Sequence, residues 1–130
     1  MPSALGQTLV IAIGGAVGAV LRWWLSTAVY SVLGRGFPYG TLAVNALGSL
    51  LMGLMATLLL ERSGLGPVWR AALLIGGLGA FTTFSTFSME TLTLLEQGEA
   101  LRAVVNVLAS VALCLLAAWG GVVLARTVWT

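Results

Sequence analysis

Five hydroxyl side chains, Thr82, Thr83, Ser85, Thr86 and Ser88, are interleaved with three phenylalanines, Phe81, Phe84 and Phe87, directly after Gly76, Gly77 and Gly79. Hydroxyls supply hydrogen-bond donors and acceptors without fixed charge, ring edges carry partial positive charge, and glycines lower the cost of irregular backbone. Together such groups can replace the water around a compact ion without trapping it. They stand in a chain that is 59% hydrophobic and 8% charged, with no lysine and no histidine. That is too little charge to cover a soluble domain, so the chain belongs in a bilayer. At membrane depth, irregular backbone persists only where protein buries it or where water and ions reach it.

The same inventory excludes several classes of function. Without histidine, and with four glutamates spread along the chain, three of them in expected loops, no nucleophile–base pair is available, so the chain is not expected to be an enzyme. No phosphate-cradling GxxxxGK[ST] run is present. The net charge of +2 comes from six scattered arginines, which form no nucleic-acid patch. Cys114, the single cysteine, excludes an intrachain disulfide or a thiolate metal cluster. The N-terminal apolar stretch lacks a basic start and is too long for a signal peptide, so it is expected to remain in the mature protein.

The elements that must position the hydroxyl-rich stretch are apolar runs of membrane-spanning length. They predict one all-α domain over residues 1–130, with crossings at about 5–32, 39–60, 68–95 and 100–126. The third crossing contains the stretch at its middle and is expected to break near Gly79 to Thr83. At such a break the freed carbonyls of the first half suit a cation, and the exposed N–H groups of the second half suit an anion. A continuous helix whose serines and threonines bond their own carbonyls is the alternative.

Polar residues on the other crossings admit two readings each. Gly14, Gly18 and Arg22 share one face of the first helix, and the glycines allow close backbone approach. Arg22 either snorkels beside the interfacial Trp23 and Trp24 or lends positive potential to a watery vestibule. Asn45 is either interhelical glue or an amide offering two donors to an anion. The phenylalanine stripe is either packing or an ion-facing row of ring edges. Glu90, within the third crossing, must be protonated, paired or hydrated if it lies deep. Asn106, Ser110 and Cys114 recur at four-residue spacing on the fourth helix, either as helix packing or as a track of weak donors. Arg126 and Trp129 mark the final interface.

With four crossings, Arg62, Arg70 and Arg126 fall on one side, and Arg35 and Arg102 on the other, joined by Arg22 if it snorkels that way. This near-balance gives almost no instruction about orientation, so copies are expected to insert both ways and to pair antiparallel through the Gly14/Gly18 face and the breaks.

Gly76 to Glu90, read as GGLGAFTTFSTFSME, resembles the signature of the Fluc (CrcB) fluoride channels. Gly14 to Arg22, GGAVGAVLR, is similar to their first-helix motif, and Asn45 in TLAVNALGS looks like their second-helix asparagine. The likeness covers all four crossings. It implies a fluoride-selective channel that passively exports fluoride across a bacterial or archaeal cytoplasmic membrane, built as an antiparallel homodimer with two pores. By that likeness Phe84, Phe87 and Asn45 line the pore together with the hydroxyls of Ser85 and Thr86. Ser110, Glu90 and Arg22 fall at polar pore or vestibule positions. The backbone carbonyls of Gly79 and Thr82 would hold a structural sodium ion (Na+) at the dimer centre. Asn106 is expected at a pore position as well, although some members have a tyrosine there. Two other readings stand beside this one. One is a small proton-coupled drug or cation exporter using Glu90, although such exporters place their essential glutamate in the first helix. The other is a non-conducting assembly subunit.

Overall fold

The computed structural model describes residues 3–62 and 64–128; Trp129 lies outside them. All secondary structure among the described residues is helical, and four helical spans are long and apolar enough to cross a membrane. The first is α1 (Ala4–Leu33), capped at its start by Ser3, whose Oγ accepts the Gly6 N–H at 3.0 Å. It ends at Gly34, whose φ of 79° lets its N–H return to the Tyr30 carbonyl at 2.8 Å. Thirty residues make a helix of roughly 45 Å, which must tilt or protrude from a core of about 30 Å.

After a turn closed by Pro38, α2 (Tyr39–Thr57) runs back and widens into a π-helical turn, Leu58–Arg62. The third crossing begins at α3 (Pro67–Arg70), with Pro67 in the first turn, where a missing N–H costs nothing. It continues as a π-helical segment, Ala71–Leu78, and a last short turn, α4 (Gly79–Phe81). Helical geometry then stops. Thr82 (φ −90°, ψ 160°) and Thr83 (φ −152°, ψ 117°) are extended, and α5 (Phe84–Glu96) restarts the crossing. The expected break is therefore present and confined to two residues. Gly98, at φ 78°, turns the chain into α6 (Ala100–Val128).

Two packing zones hold the bundle. In one, α2 lies along α6, where a Cβ on Gly53 would strike the Ala118 carbonyl and a Cβ on Gly121 the Leu50 carbonyl. In the other, α1 lies against the first half of the third crossing (residues 67–81). A Cβ on Gly14 would meet the Ala72 carbonyl, and one on Gly18 the Gly77 carbonyl. From the opposite side, a Cβ on Gly76 would press the Ile11 carbonyl at 2.6 Å. The shared Gly14/Gly18 face, expected to pair two copies, is instead occupied within one chain, where its missing side chains let α1 meet the third crossing backbone to backbone.

Candidate functional site

The break is made by one asparagine and one threonine. In an unbroken α-helix the Thr83 N–H would bond the Gly79 carbonyl, and the Thr86 N–H would bond the Thr82 carbonyl. Instead the Thr83 N–H donates to Asn45 Oδ1 at 2.7 Å, while Asn45 Nδ2 donates to the Thr83 carbonyl at 2.9 Å. The Thr86 N–H donates to Thr83 Oγ1 at 3.1 Å, so Thr83 is the N-cap of α5. Both diversions remove helical donors from the carbonyls of Gly79 and Thr82. Gly79 is exposed and Thr82 half-buried. Neutral carbonyl oxygens freed at a helix break, with no carboxylate in the break, fit a monovalent cation. Gly79 and Thr82 therefore have the donor chemistry that a sodium ion would require.

Beside the break lies a cavity of about 440 Å³ whose lining includes Asn45, Thr82, Thr83, Phe84, Phe87 and Ser110. The rings of Phe84 and Phe87 are 5.4 Å apart and inclined at 43°. Phe84 is 78% exposed, far more than a packing phenylalanine in a finished core. The hydrogen inventory shows which groups remain free to meet an anion. Asn45 spends one of its two amide N–H donors on Thr83 and keeps the other. Thr83 Oγ1 donates to Thr86 Oγ1 at 3.1 Å, which leaves the exposed Thr86 hydroxyl proton unspent on that bond. Ser85 Oγ, also exposed, lies 3.2 Å from Thr83 Oγ1.

The remaining sequence candidates fall elsewhere. Glu90 lies on the same helix as Phe87 but lines a separate pocket of about 160 Å³ with Tyr30, Arg35, Thr93 and Gln97. Its carboxylate accepts from the Tyr30 hydroxyl at 2.7 Å and from the Thr41 hydroxyl, so it is hydrogen-bonded by α1 and α2. Arg35, from the first turn, sits 4.4 Å from the centre of the Tyr30 ring. Arg22, half-buried one turn beyond Gly18, is not in the lining of the cavity at the break. Asn106 is buried in the bundle and reaches the cavity only through Ser110, whose Oγ is 3.3 Å from Asn106 Oδ1. Cys114 lines the cavity one turn past Ser110.

Sequence reasoning named Thr83 as one hydroxyl among five and gave it no separate part. The signal was present: Thr83 stands three residues before Thr86 at the start of a helix, the position of a capping hydroxyl. Tyr30, Thr41 and Thr91 were not singled out. A tyrosine in an apolar span has a hydroxyl that needs a partner, which is the clue that leads from Tyr30 to Glu90.

Comparison with known proteins bears on this geometry. The profile of the family described as CrcB-like protein, Camphor Resistance (CrcB), matches residues 9–122. A protein of Methylococcus capsulatus named fluoride-specific ion channel FluC is 56% identical over 116 residues, which are 89% of this chain and 51% of the relative. Proteins of the same name from Magnetococcus marinus and Geobacter sulfurreducens are each 53% identical over 118 residues. Those residues are 91% of this chain and, respectively, 96% and 95% of the relatives. The chain thus spans about half the length of the first relative and nearly all of the other two.

Proposed function

Because this chain belongs to the CrcB-like family, we propose that it is a fluoride channel, a multi-pass membrane protein that conducts the ion passively and is not an enzyme. The observation that carries the reading is the cavity at the break. It offers an uncommitted Asn45 N–H and two phenylalanine rings, with the Thr86 hydroxyl on the adjoining turn, and no carboxylate or arginine among its lining residues. Fluoride is small and strongly hydrated, so closely spaced donors are needed to replace its shell, and chloride is too large to use them as well. Passive exit through such a path in the cytoplasmic (inner) membrane would lower fluoride in the cytoplasm.

The working form we propose is an antiparallel homodimer with two pores. In a single chain the exposed Gly79 and the 78% exposed Phe84 would face lipid, which offers no partner to freed backbone groups. A second copy packed on this face would bury them. A sodium ion held by the Gly79 and Thr82 carbonyls of both copies would neutralise the partial negative charge gathered there and lock the pair together. Replacing sodium with a large organic cation should then lower the thermal stability of the purified dimer; equal stability in both salts would remove the sodium from the proposal.

The function itself is tested with purified protein in liposomes loaded with fluoride or chloride, with potassium and valinomycin to balance charge. Fluoride should leave and chloride should stay. Equal chloride release, or release that requires a proton gradient, would defeat the reading, and the latter would favour an exporter working through Glu90.

A further inference from the structure

Asn106 is 1% exposed, which is unusual for an asparagine in an otherwise apolar helix, and its amide nitrogen and oxygen each have a side-chain partner. The direction of every proton around it can be worked out from one end. The Phe87 carbonyl can only accept, so the Thr91 hydroxyl, 2.8 Å away, spends its single proton there. Thr91 Oγ1 must then act as an acceptor toward Asn106, and it takes an N–H from Nδ2 at 2.9 Å. That fixes the amide orientation and turns Oδ1 toward Ser110, whose hydroxyl donates to it across 3.3 Å. The chain of donors runs one way, from Ser110 through Asn106 and Thr91 to the main chain of Phe87.

We propose that this relay makes Asn106 and Thr91 positioning residues for Phe87, a role that rests on the fluoride-channel reading above. Phe84 and Phe87 form the aromatic wall of the cavity, yet only Phe87 has its own carbonyl tied, through side chains, to another helix. A threonine bonding back to the carbonyl four residues earlier bends its helix locally, and here a buried amide on α6 holds that threonine in place. Phe87 is thereby registered against α6 and the cavity, while neither Asn106 nor Thr91 lines it. A second consequence concerns Ser110. It lines the cavity, but its proton points into the relay, so it presents an oxygen lone pair to the space where an anion would sit. The donors for an anion are then Asn45, Thr86 and the ring edges, and Ser110 serves to orient Asn106.

Three variants separate this role from general packing. Thr91→Val keeps the shape and removes the hydroxyl, Thr91→Ser keeps the hydroxyl, and Asn106→Leu removes the amide at similar volume. In liposomes, Thr91→Val and Asn106→Leu should each slow fluoride efflux roughly fivefold, the equivalent of one ordinary hydrogen bond. The double variant should be no slower than either single one, because both cut the same path. Thr91→Ser should behave as the parent. Independently of transport, the backbone carbonyl carbon resonance of Phe87, in protein labelled at phenylalanine carbonyls, should move in Thr91→Val and Asn106→Leu and stay put in Thr91→Ser. A Phe87 resonance unmoved in Asn106→Leu, multiplying effects in the double variant, or equal efflux from Thr91→Val and Thr91→Ser would overturn the relay. If the parent protein passes no fluoride, the channel reading fails and the resonance still decides the relay.

Discussion

The two halves of the third crossing are held by opposite means. Residues 67–81 are fixed by shape: Gly77 meets Gly14 and Gly18 of α1, and Gly76 meets Ile11 and Gly15, with almost nothing between the main chains. Residues 84–96 are fixed by polar side chains reaching in from three other helices. Asn45 of α2 holds Thr83 at the entrance, Asn106 of α6 holds Thr91, and Tyr30 of α1 and Thr41 of α2 hold Glu90. The cavity beside the first half, about 530 Å³, is lined by apolar residues and glycine, including Leu73, Gly77, Leu78 and Phe81, and offers an ion no side-chain donor, whereas the cavity at the start of the suspended half is lined by Asn45, Thr82, Thr83 and Ser110 as well. The first half is thus the anchor and the second half the instrument, and the boundary between them is the pair Thr82–Thr83.

The largest expected effect lies in the anchor. Gly18→Ala places a methyl against the Gly77 carbonyl, where backbone cannot yield as a flexible side chain would. It should cost about 3 kcal/mol, in the upper range for an overpacked interior, and thermal unfolding in detergent should show it. A neutral result would mean that α1 and the first half are free to slide apart. Next comes the boundary. Asn45→Leu leaves the Thr83 N–H and carbonyl without partners, a penalty on the order of 2–3 kcal/mol, and it should also abolish efflux because the cavity loses the uncommitted Asn45 N–H. Asn45→Asp, which can still accept the Thr83 N–H, should fall between; if it matches Asn45→Leu, the paired bond is not what holds the break.

How much of this was legible beforehand follows the range of the interaction. The crossings were readable because apolar runs of spanning length announce themselves locally, and the break was readable because glycines and hydroxyls crowd into one stretch. Its position at Thr82–Thr83 depends on Asn45, thirty-eight residues before Thr83, and no local pattern records that pairing. The Tyr30–Glu90 bond spans sixty residues and was equally hidden. Nor could the π-helical stretch Ala71–Leu78 be foreseen, since no residue type in AALLIGGL selects a wide turn over an ordinary one. Asn106 was visible as one of a polar stripe, but its burial, which separates it from the cavity, required the bundle.

Smaller effects sharpen the comparison. Thr83→Val removes the α5 cap while keeping the branched shape, so it should cost about 1 kcal/mol, with Thr83→Ser restoring most of it. If Val and Ser variants unfold alike, the cap is not what starts the second half. Far from the break, the Arg126–Glu61 pair at 2.8 Å is exposed and links the end of α6 to the end of α2. Arg126→Ala should leave stability almost unchanged and efflux intact, as expected for a solvent-screened surface ion pair. A large loss of efflux there would show that function is not confined to the second half.

The claim that the second half carries the ion is tested most directly by fluoride efflux from liposomes containing Phe84→Ile or Phe87→Ile protein. Isoleucine keeps an apolar bulk and removes the positive ring edge. The account predicts that each variant assembles as the parent does, with unfolding temperature nearly unchanged, while efflux falls sharply at both positions. Parental efflux from both variants would contradict it and return the two rings to a packing role.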